Sequence, residues 1–275
     1  MSVTTFSPPE LDEVQERILE SMRRDGIAVV PFRELFGDEL WETLQADIAG
    51  FVHETEARLP ELRGQKSTKS YIVRRFGKTK TTFALDDPWL QLGLSSRMLD
   101  VINSYRGEPT WLVDFDHWYT IPDPDATDRV ASQRWHRDPW DNHVVKVFTY
   151  FTDVDEESGP FEYIRSSPEG GRYGDRWPWE DGGGDSVYPP QDELADVIAP
   201  KDVLTLTGPL GTMLFCDTSG FHRGGLARST PRVLTYHAFV SPRTRKPPRL
   251  RLDRSADGKA LSEPARFAVG WSQKS

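Results

Sequence analysis

The sequence has few of the features that mark secreted or membrane-inserted proteins. Cys216 is its single cysteine, which excludes an internal disulfide and is typical of proteins from a reducing cytosol. No run of 18 apolar residues occurs, so we expect no membrane-spanning helix. The first residues also lack a basic segment followed by an apolar stretch, so no signal peptide is expected. These absences predict a cytoplasmic protein.

Positive charge is also in deficit. Asp and Glu number 43 against 34 Lys and Arg, and the formal net charge is −9 at pH 7. This balance disfavours nucleic acid and anionic membranes as partners, because both repel an acidic surface. A small-molecule substrate is the partner that we expect, and no sequence feature specifies an oligomeric state. The 275 residues are enough for one domain, and we expect a single domain over residues 1–275.

The first third of the chain has helical patterning. Ser7 and Glu10 have the spacing of a capping box, and they precede an apolar stripe that Gly26 can end in the left-handed conformation. Further helices are predicted from about Asp38 to Arg58 and from near Pro88 to just before Gly107. We expect this helical part to buttress the rest of the protein.

From about residue 110 the patterning becomes that of strands and turns. Short runs rich in Val, Phe, Tyr and Thr alternate with clusters of Gly, Pro and Asp. The clearest predicted strands are Trp111–Thr120, His143–Thr152, Phe161–Arg165, Thr212–Cys216 and Val233–Val240. Helices followed by strands predict an α+β, mainly β fold in which residues 1–110 brace a double-sheet roll over 111–242, with 243–275 as a C-terminal extension.

Residues 169–191, EGGRYGDRWPWEDGGGDSVYPPQ, interrupt the strand pattern. Their glycines and prolines prevent regular structure from extending far. A loop of this length inside a compact domain is usually a lid or binding loop, or else disordered. Trp177 and Trp179 favour an ordered lid, and whether it orders only on binding a ligand stays open.

An H-x-D triplet is the clearest chemical signal in the chain. His136 and Asp138 are separated by one residue, so on a strand their side chains would share one face about 7 Å apart. His222 follows a predicted strand and is suited to approach the same ion from a distant part of a rolled sheet. Two histidines and one carboxylate on one face are the ligand set of non-haem Fe(II) oxygenases. The triplet alone is a weak signal, because a simple surface His–Asp pair has the same spacing.

Longer segments carry a resemblance to a known family. They are WHRD (135–138), FTYFTDVDEESGPFEYIRSSP (148–168), GTMLFCDTSGFHRGG (211–225), PRVLTYHAFV (231–240) and DGIAVVPF (25–32). In order and approximate spacing they resemble the phytanoyl-CoA dioxygenase family of Fe(II)- and 2-oxoglutarate-dependent oxygenases. The resemblance implies a double-stranded β-helix, of the jelly-roll or cupin-like type, with His136, Asp138 and His222 as iron ligands. It also implies Fe(II) as cofactor and 2-oxoglutarate and O2 as co-substrates.

The same resemblance suggests residues that bind the co-substrate. Arg232 lies ten residues after the distal histidine, where relatives place the arginine that holds the far carboxylate of 2-oxoglutarate. A guanidinium can do so bidentately. The interval is often a residue longer in relatives, so Arg228 stays an alternative. Phe148 has the position of an aromatic residue beside 2-oxoglutarate, although core packing explains it nearly as well, and Lys78 or Lys80 could supply a second cation.

Taken together, these features predict a dioxygenase that hydroxylates or otherwise oxidises a C–H bond of a small organic metabolite and releases succinate and CO2. Halogenating relatives replace the carboxylate ligand with a small residue, so Asp138 favours hydroxylation. A role in secondary metabolism is the family-level expectation. The alternative is a cupin-like metal- or small-molecule-binding protein without turnover. Arg232 speaks against that alternative, because such a protein needs no arginine directed at a dicarboxylate.

Overall fold

The computed structural model describes residues 6–62, 70–77, 81–177, 187–244, 248, 250–253 and 260–271. The helices are α1 (Glu13–Asp25), α2 (Phe32–Leu35), α3 (Asp38–Leu62), α4 (Pro88–Leu94), α5 (Ser96–Arg106), α6 (Gln191–Val197) and α7 (Glu263–Ala268). The strands are β1 (Ile27–Pro31), β2 (Ile72–Arg74), β3 (Thr82–Phe83), β4 (Trp111–Thr120), β5 (Val145–Tyr150), β6 (Phe161–Ile164), β7 (Val203–Leu206), β8 (Thr212–Asp217), β9 (His222–Gly224), β10 (Arg232–Val240) and β11 (Arg251–Leu252).

Two facing antiparallel sheets form the centre of the molecule. The larger sheet has the strand order β1-β8-β5-β10-β4-β2, and the smaller one has the order β7-β6-β9. Aromatic side chains join them, since the rings of Phe148 on β5 and Phe161 on β6 lie 4.9 Å apart. This arrangement confirms the expected mainly β, jelly-roll fold with helices beside it.

The larger sheet buries both of its faces. On β5, Val145 and Val147 pack against the helical layer, whereas Phe148 and Tyr150 point between the two sheets. Alternation along the strand produces this division, because successive side chains point to opposite faces. Both faces are covered, which is why every residue of β5 and β10 is buried.

The helical layer covers the outer face of the larger sheet. Helices α1, α3, α4 and α5 contribute to its apolar core, as do Leu261, Ala265 and Ala268 near the C-terminus. The expected C-terminal extension therefore packs on the helices through α7. Within the described residues, no helix is long and apolar enough to cross a membrane.

Two helix boundaries differ from the sequence prediction. Helix α1 is capped by Asp12, whose side chain accepts hydrogen bonds from the N–H groups of Val14 and Gln15, so the box predicted at Ser7 and Glu10 is wrong. The side chain of Gln15 completes the true box by accepting from the N–H of Asp12. Gly26 ends the helix with φ of +80°, as expected.

The helix predicted from Pro88 to Gly107 is divided in two. Ser95, with extended backbone angles, ends α4 and begins α5. The predicted strands are all present with small changes at their ends, and Arg232 is included in β10. The sequence prediction did not include α6 or β7, which are short and follow the glycine-rich loop.

Candidate functional site

Backbone pairing brings His136 and His222 side by side. Each donates its N–H to the carbonyl of the other at 3.0 Å, and together they form an isolated antiparallel bridge. Asp138 is held by its own N–H, which donates to the Thr218 carbonyl at 2.8 Å. Residues 136–138 do not form a regular strand, because among the described residues they pair with their neighbours through an isolated bridge and single hydrogen bonds. This pairing nevertheless places the three side chains together, with one ligand atom from each within 4.8 Å of the others.

Hydrogen bonds set the tautomer of both histidines. The Nδ1 of His136 lies 2.8 Å from the Arg134 carbonyl, and the Nδ1 of His222 lies 3.0 Å from the Gly220 carbonyl. A carbonyl only accepts, so each Nδ1 carries the hydrogen and each Nε2 keeps its lone pair. Burial, together with the nearby His136, lowers the pKa of His222 to about 3. His222 is therefore a neutral imidazole near pH 7, and in both rings Nε2 is the nitrogen that can bind a metal.

Asp138 completes the cluster with a carboxylate that is only 9% exposed. Its Oδ2 lies 3.7 Å from the Nε2 of His222 and 2.5 Å from the Nζ of Lys146. The ammonium of Lys146 is the charged partner of Oδ2, and apart from it Oδ2 has no hydrogen-bond partner among the described residues. Burial alone would raise the pKa of Asp138, but the positive charge of Lys146, together with the neighbouring imidazoles, holds it well below its usual range.

Arg232 is buried at the start of β10 without a carboxylate within 4 Å among the described residues. One terminal nitrogen donates to the Gly159 carbonyl, and its Nε has no partner in the described part of the chain. Burial lowers the pKa of this guanidinium. Arg228, the alternative from the sequence, is exposed. Lys78 and Lys80 lie outside the described residues.

Phe148 lies between the sheets and is 4% exposed. Its ring centroid is 4.9 Å from that of Phe161, which in turn lies 5.7 Å from the ring of His222. These contacts show a core residue close to the cluster. A place beside a co-substrate stays a prediction.

Sequence reasoning did not identify the role of Arg137, which points away from its neighbours His136 and Asp138. Its guanidinium lies 3.8 Å from the ring centroid of Phe221 and donates to five carbonyls, those of Ser167, Ser219, Tyr173, Gly174 and Arg176. Three of these belong to the first part of the 169–191 loop. The buried cation therefore ties that loop to the segment that carries His136 and Asp138.

The rest of the 169–191 loop is described only in part. The ring of Trp177 lies 5.8 Å from that of Phe221, in an edge-on contact. Residues 178–186, including Trp179, lie outside the described residues. After the gap, the Val187 carbonyl accepts from the N–H of Arg137 at 3.1 Å, and the ring of Tyr188 lies 5.9 Å from that of His136. The ordered lid stays a prediction.

Lys146 is the second residue that sequence reasoning missed. It is 7% exposed and lies on β5, whose six residues are all buried. A sequence signal was present, since one charged residue interrupts the apolar run VVKVFTYF (144–151). A lysine in such a run is seldom fully buried unless it is paired, and its partner here is Asp138.

Comparison with solved structures supports the fold. The structure of EctD from S. alaskensis with bound Fe is similar with a TM-score of 0.55 and 17% identity over 90% of this chain and 82% of that one. AviO1 from Streptomyces viridochromogenes Tue57 gives 0.54 and 15%, over 87% of this chain and 100% of that one. The epimerase SnoN, in complex with Fe3+, alpha ketoglutarate and nogalamycin RO, gives 0.53 and 16%, over 86% and 87%.

A comparison with curated proteins gives no significant match. A family model, by contrast, covers most of the chain. The model described as Phytanoyl-CoA dioxygenase (PhyH) matches residues 22–232, which include the three clustered side chains and Arg232. This match confirms the resemblance carried by the sequence motifs and the enzyme class that it implies, a non-haem iron, 2-oxoglutarate-dependent dioxygenase. The chain belongs to the phytanoyl-CoA dioxygenase family.

Proposed function

We propose that His136, Asp138 and His222 hold the Fe(II) of this dioxygenase and that Arg232 binds the far carboxylate of 2-oxoglutarate. The observation that carries the proposal is the cluster itself, three ligand atoms within 4.8 Å of one another. Two imidazole nitrogens and one carboxylate oxygen are the donors that suit non-haem Fe(II). The chain works, in this proposal, as one domain.

The polar atoms of the cluster support a metal there. Both Nδ1 atoms are already committed to carbonyls, so in each ring Nε2 is the nitrogen with a lone pair directed at a metal. Apart from the ammonium of Lys146, the buried Oδ2 of Asp138 has no hydrogen-bond partner among the described residues, so it keeps acceptor capacity for a second cation. A cation between these three atoms would satisfy all of them.

The surroundings of Arg232 support an anion in the same way. A buried guanidinium without a carboxylate is costly, and a dicarboxylate would supply the missing charge. Two N–H groups of one guanidinium can hold a carboxylate in parallel, which fixes its direction as well as its position. We therefore assign Arg232 rather than the exposed Arg228 to this role, with Phe148 as a wall of the pocket.

When bound, Fe(II) and 2-oxoglutarate supply the activation of O2 with release of succinate and CO2. The chain's own residues position and shield these groups. The two histidines and Asp138 offer their donors from one side, so the opposite side stays open to small molecules. Arg137 holds the 167–176 segment against the cluster, which supports the expected lid over the site.

We propose a small organic metabolite as substrate and oxidation of one of its C–H bonds, with hydroxylation favoured because Asp138 is present. Structural neighbours support this substrate class at the level of the fold, since EctD was solved with 5-hydroxyectoine and SnoN with nogalamycin RO. A cytoplasmic location and a role in secondary metabolism are further parts of the proposal. The single cysteine supports the former.

An anaerobic titration tests the proposal. Addition of Fe(II) and then 2-oxoglutarate to the protein is expected to produce a visible charge-transfer band, with one iron bound per chain. The His222→Gln variant should lose both the iron and the band. His237→Gln is the matched control, because His237 is equally buried but bonds the Trp89 carbonyl on the helical face of the sheet.

The same titration separates the enzyme from a binding protein without turnover. An enzyme is expected to release succinate when O2 and a substrate from a metabolite library are added, whereas a binding protein would take up metal alone. Iron binding without any response to 2-oxoglutarate would contradict the proposal. Loss of iron from the His237→Gln variant would show that the third ligand is misassigned.

A further inference from the structure

Two buried cations lie far apart on the inward face of the larger sheet. Lys146 on β5 is paired in register with Ala238 on β10, and Arg232 lies six residues before Ala238 on the same strand. Strands rise about 3.3 Å per residue, so the two backbone positions are roughly 20 Å apart. Arg232 is assigned to the far carboxylate of the co-substrate, which leaves Lys146 at the opposite end, beside the metal ligands.

The ammonium of Lys146 contacts the carboxylate oxygen that faces the histidines. Its Nζ is 2.5 Å from Oδ2 of Asp138, and that oxygen is 3.7 Å from Nε2 of His222. Two aromatic rings also lie near the ammonium: its Nζ is 4.4 Å from the ring centroid of Trp140 and 5.6 Å from that of Tyr236. Among the described residues, Asp138 is the only carboxylate within 4 Å of this ammonium.

This geometry has a consequence for charge. A buried ammonium in an aromatic environment needs a counter-ion, and here the counter-ion is a proposed metal ligand. A divalent cation at the cluster would draw on the same carboxylate. The single negative charge of Asp138 cannot neutralise both, so binding of the metal leaves Lys146 in need of another anion.

We propose, on the basis of the function proposed above, that Lys146 is a built-in counter-cation of the metal centre. Its ammonium neutralises Asp138 in the metal-free protein, and it attracts the anionic 2-oxoglutarate once the metal takes over that carboxylate. Lys146 thus acts as a positioning residue that favours the complete complex of metal and co-substrate over the metal alone.

The proposal predicts two effects of opposite sign. Without the ammonium, Asp138 is a buried, unpaired carboxylate, so the metal-free protein is less stable and a divalent cation binds more tightly. The co-substrate loses an attractive charge, so 2-oxoglutarate binds more weakly. A residue with a merely structural role would weaken both, because a distorted site holds neither ligand well.

The test compares Lys146→Met with wild type, with Lys146→Arg as the charge-conserving variant. Lys201→Met is the matched control, since Lys201 is exposed on the short helical turn Pro200–Asp202. Anaerobic calorimetry with Ni(II) measures metal affinity, and a second titration with 2-oxoglutarate follows at saturating Ni(II). Thermal unfolding without metal reports the stability of each variant.

We expect Lys146→Met to bind Ni(II) about tenfold or more tightly and 2-oxoglutarate about fivefold or more weakly than wild type. Lys146→Arg and Lys201→Met should resemble wild type in both titrations. Should the methionine variant not fold, Lys146→Gln carries the same test, because the glutamine amide can donate a hydrogen bond but has no charge.

Unchanged or weaker Ni(II) binding by a folded Lys146→Met or Lys146→Gln protein would overturn the proposal. Unchanged affinity for 2-oxoglutarate in the same protein would also overturn it. Failure of the proposed function has a different signature, since wild type itself would then show no affinity for 2-oxoglutarate at any Ni(II) concentration.

Discussion

Replacing Arg232 with leucine should separate co-substrate binding from metal binding. Arg232 is 5% exposed, and its one side-chain hydrogen bond among the described residues is to the Gly159 carbonyl. Truncating one partner of a buried, hydrogen-bonded charge pair costs about 2–5 kcal/mol. The affinity for 2-oxoglutarate should therefore fall by at least about thirtyfold, since each 1.4 kcal/mol is about tenfold.

The same change should affect stability in the opposite direction when no co-substrate is present. An unpaired buried cation destabilises the fold, so its removal should stabilise the co-substrate-free protein by roughly 1 kcal/mol. In a chain of this size that corresponds to a rise of about 2–4 °C in the unfolding midpoint. The further rise that 2-oxoglutarate gives to wild type should disappear in the variant.

Calorimetry with 2-oxoglutarate on the Ni(II)-loaded protein and thermal unfolding with and without 2-oxoglutarate measure these effects. Arg228→Leu is the matched control, because Arg228 lies four residues away and is exposed. Wild-type affinity for 2-oxoglutarate in the Arg232→Leu protein would refute the reasoning. A large loss in the Arg228→Leu protein instead would transfer the role to Arg228.

Three further predictions concern the cluster and the segments that hold it. Asp138→Ala should bind less than a tenth of the wild-type iron and release no succinate above background, and turnover above a few per cent would contradict the ligand assignment. Asp217 accepts a hydrogen bond from His143 at 2.6 Å and so raises the pKa of that histidine. The stabilisation is complete below the ordinary histidine pKa and is lost as pH rises through the raised value, so urea midpoints of wild type and His143→Gln should converge above neutral pH. A difference that stays constant from acidic to alkaline pH would refute this. Arg137→Met should lose about 3 kcal/mol of unfolding free energy in urea, because the carbonyls around it lose their donor. A loss within 0.5 kcal/mol, the range of ordinary surface changes, would contradict the anchoring role.

The strands and the fold class were predictable because their signals are local. Alternating and continuous apolar runs identified β4, β5 and β10 within a few residues of their observed ends. The helix starts were harder, since Ser7 and Asp12 both offer a capping side chain and only packing of the following apolar stripe decides between them. The break at Ser95 likewise has no strong sequence signal, because serine is tolerated inside helices.

The three clustered residues of the site were predictable from the sequence, but the contacts that hold them in place were not. Residue spacing and family resemblance identified His136, Asp138 and His222, whose ligand atoms the structure brings together. His136 and Asp138 do present their ligand atoms to one place, although the segment is not a regular strand and pairs with His222 through an isolated bridge. The carbonyl partners of Arg137 include residues 30 and 82 positions away, so no local pattern could reveal them. Lys146 was signalled by the interruption of an apolar run, but its pairing with Asp138 depends on how the chain folds.

Anomalous diffraction at the iron edge, from crystals grown anaerobically with Fe(II), tests the central claim most directly. The account predicts one strong peak per chain, within bonding distance of the Nε2 atoms of His136 and His222 and of one carboxylate oxygen of Asp138. A peak bound elsewhere, or one that omits any of these three side chains, would contradict it.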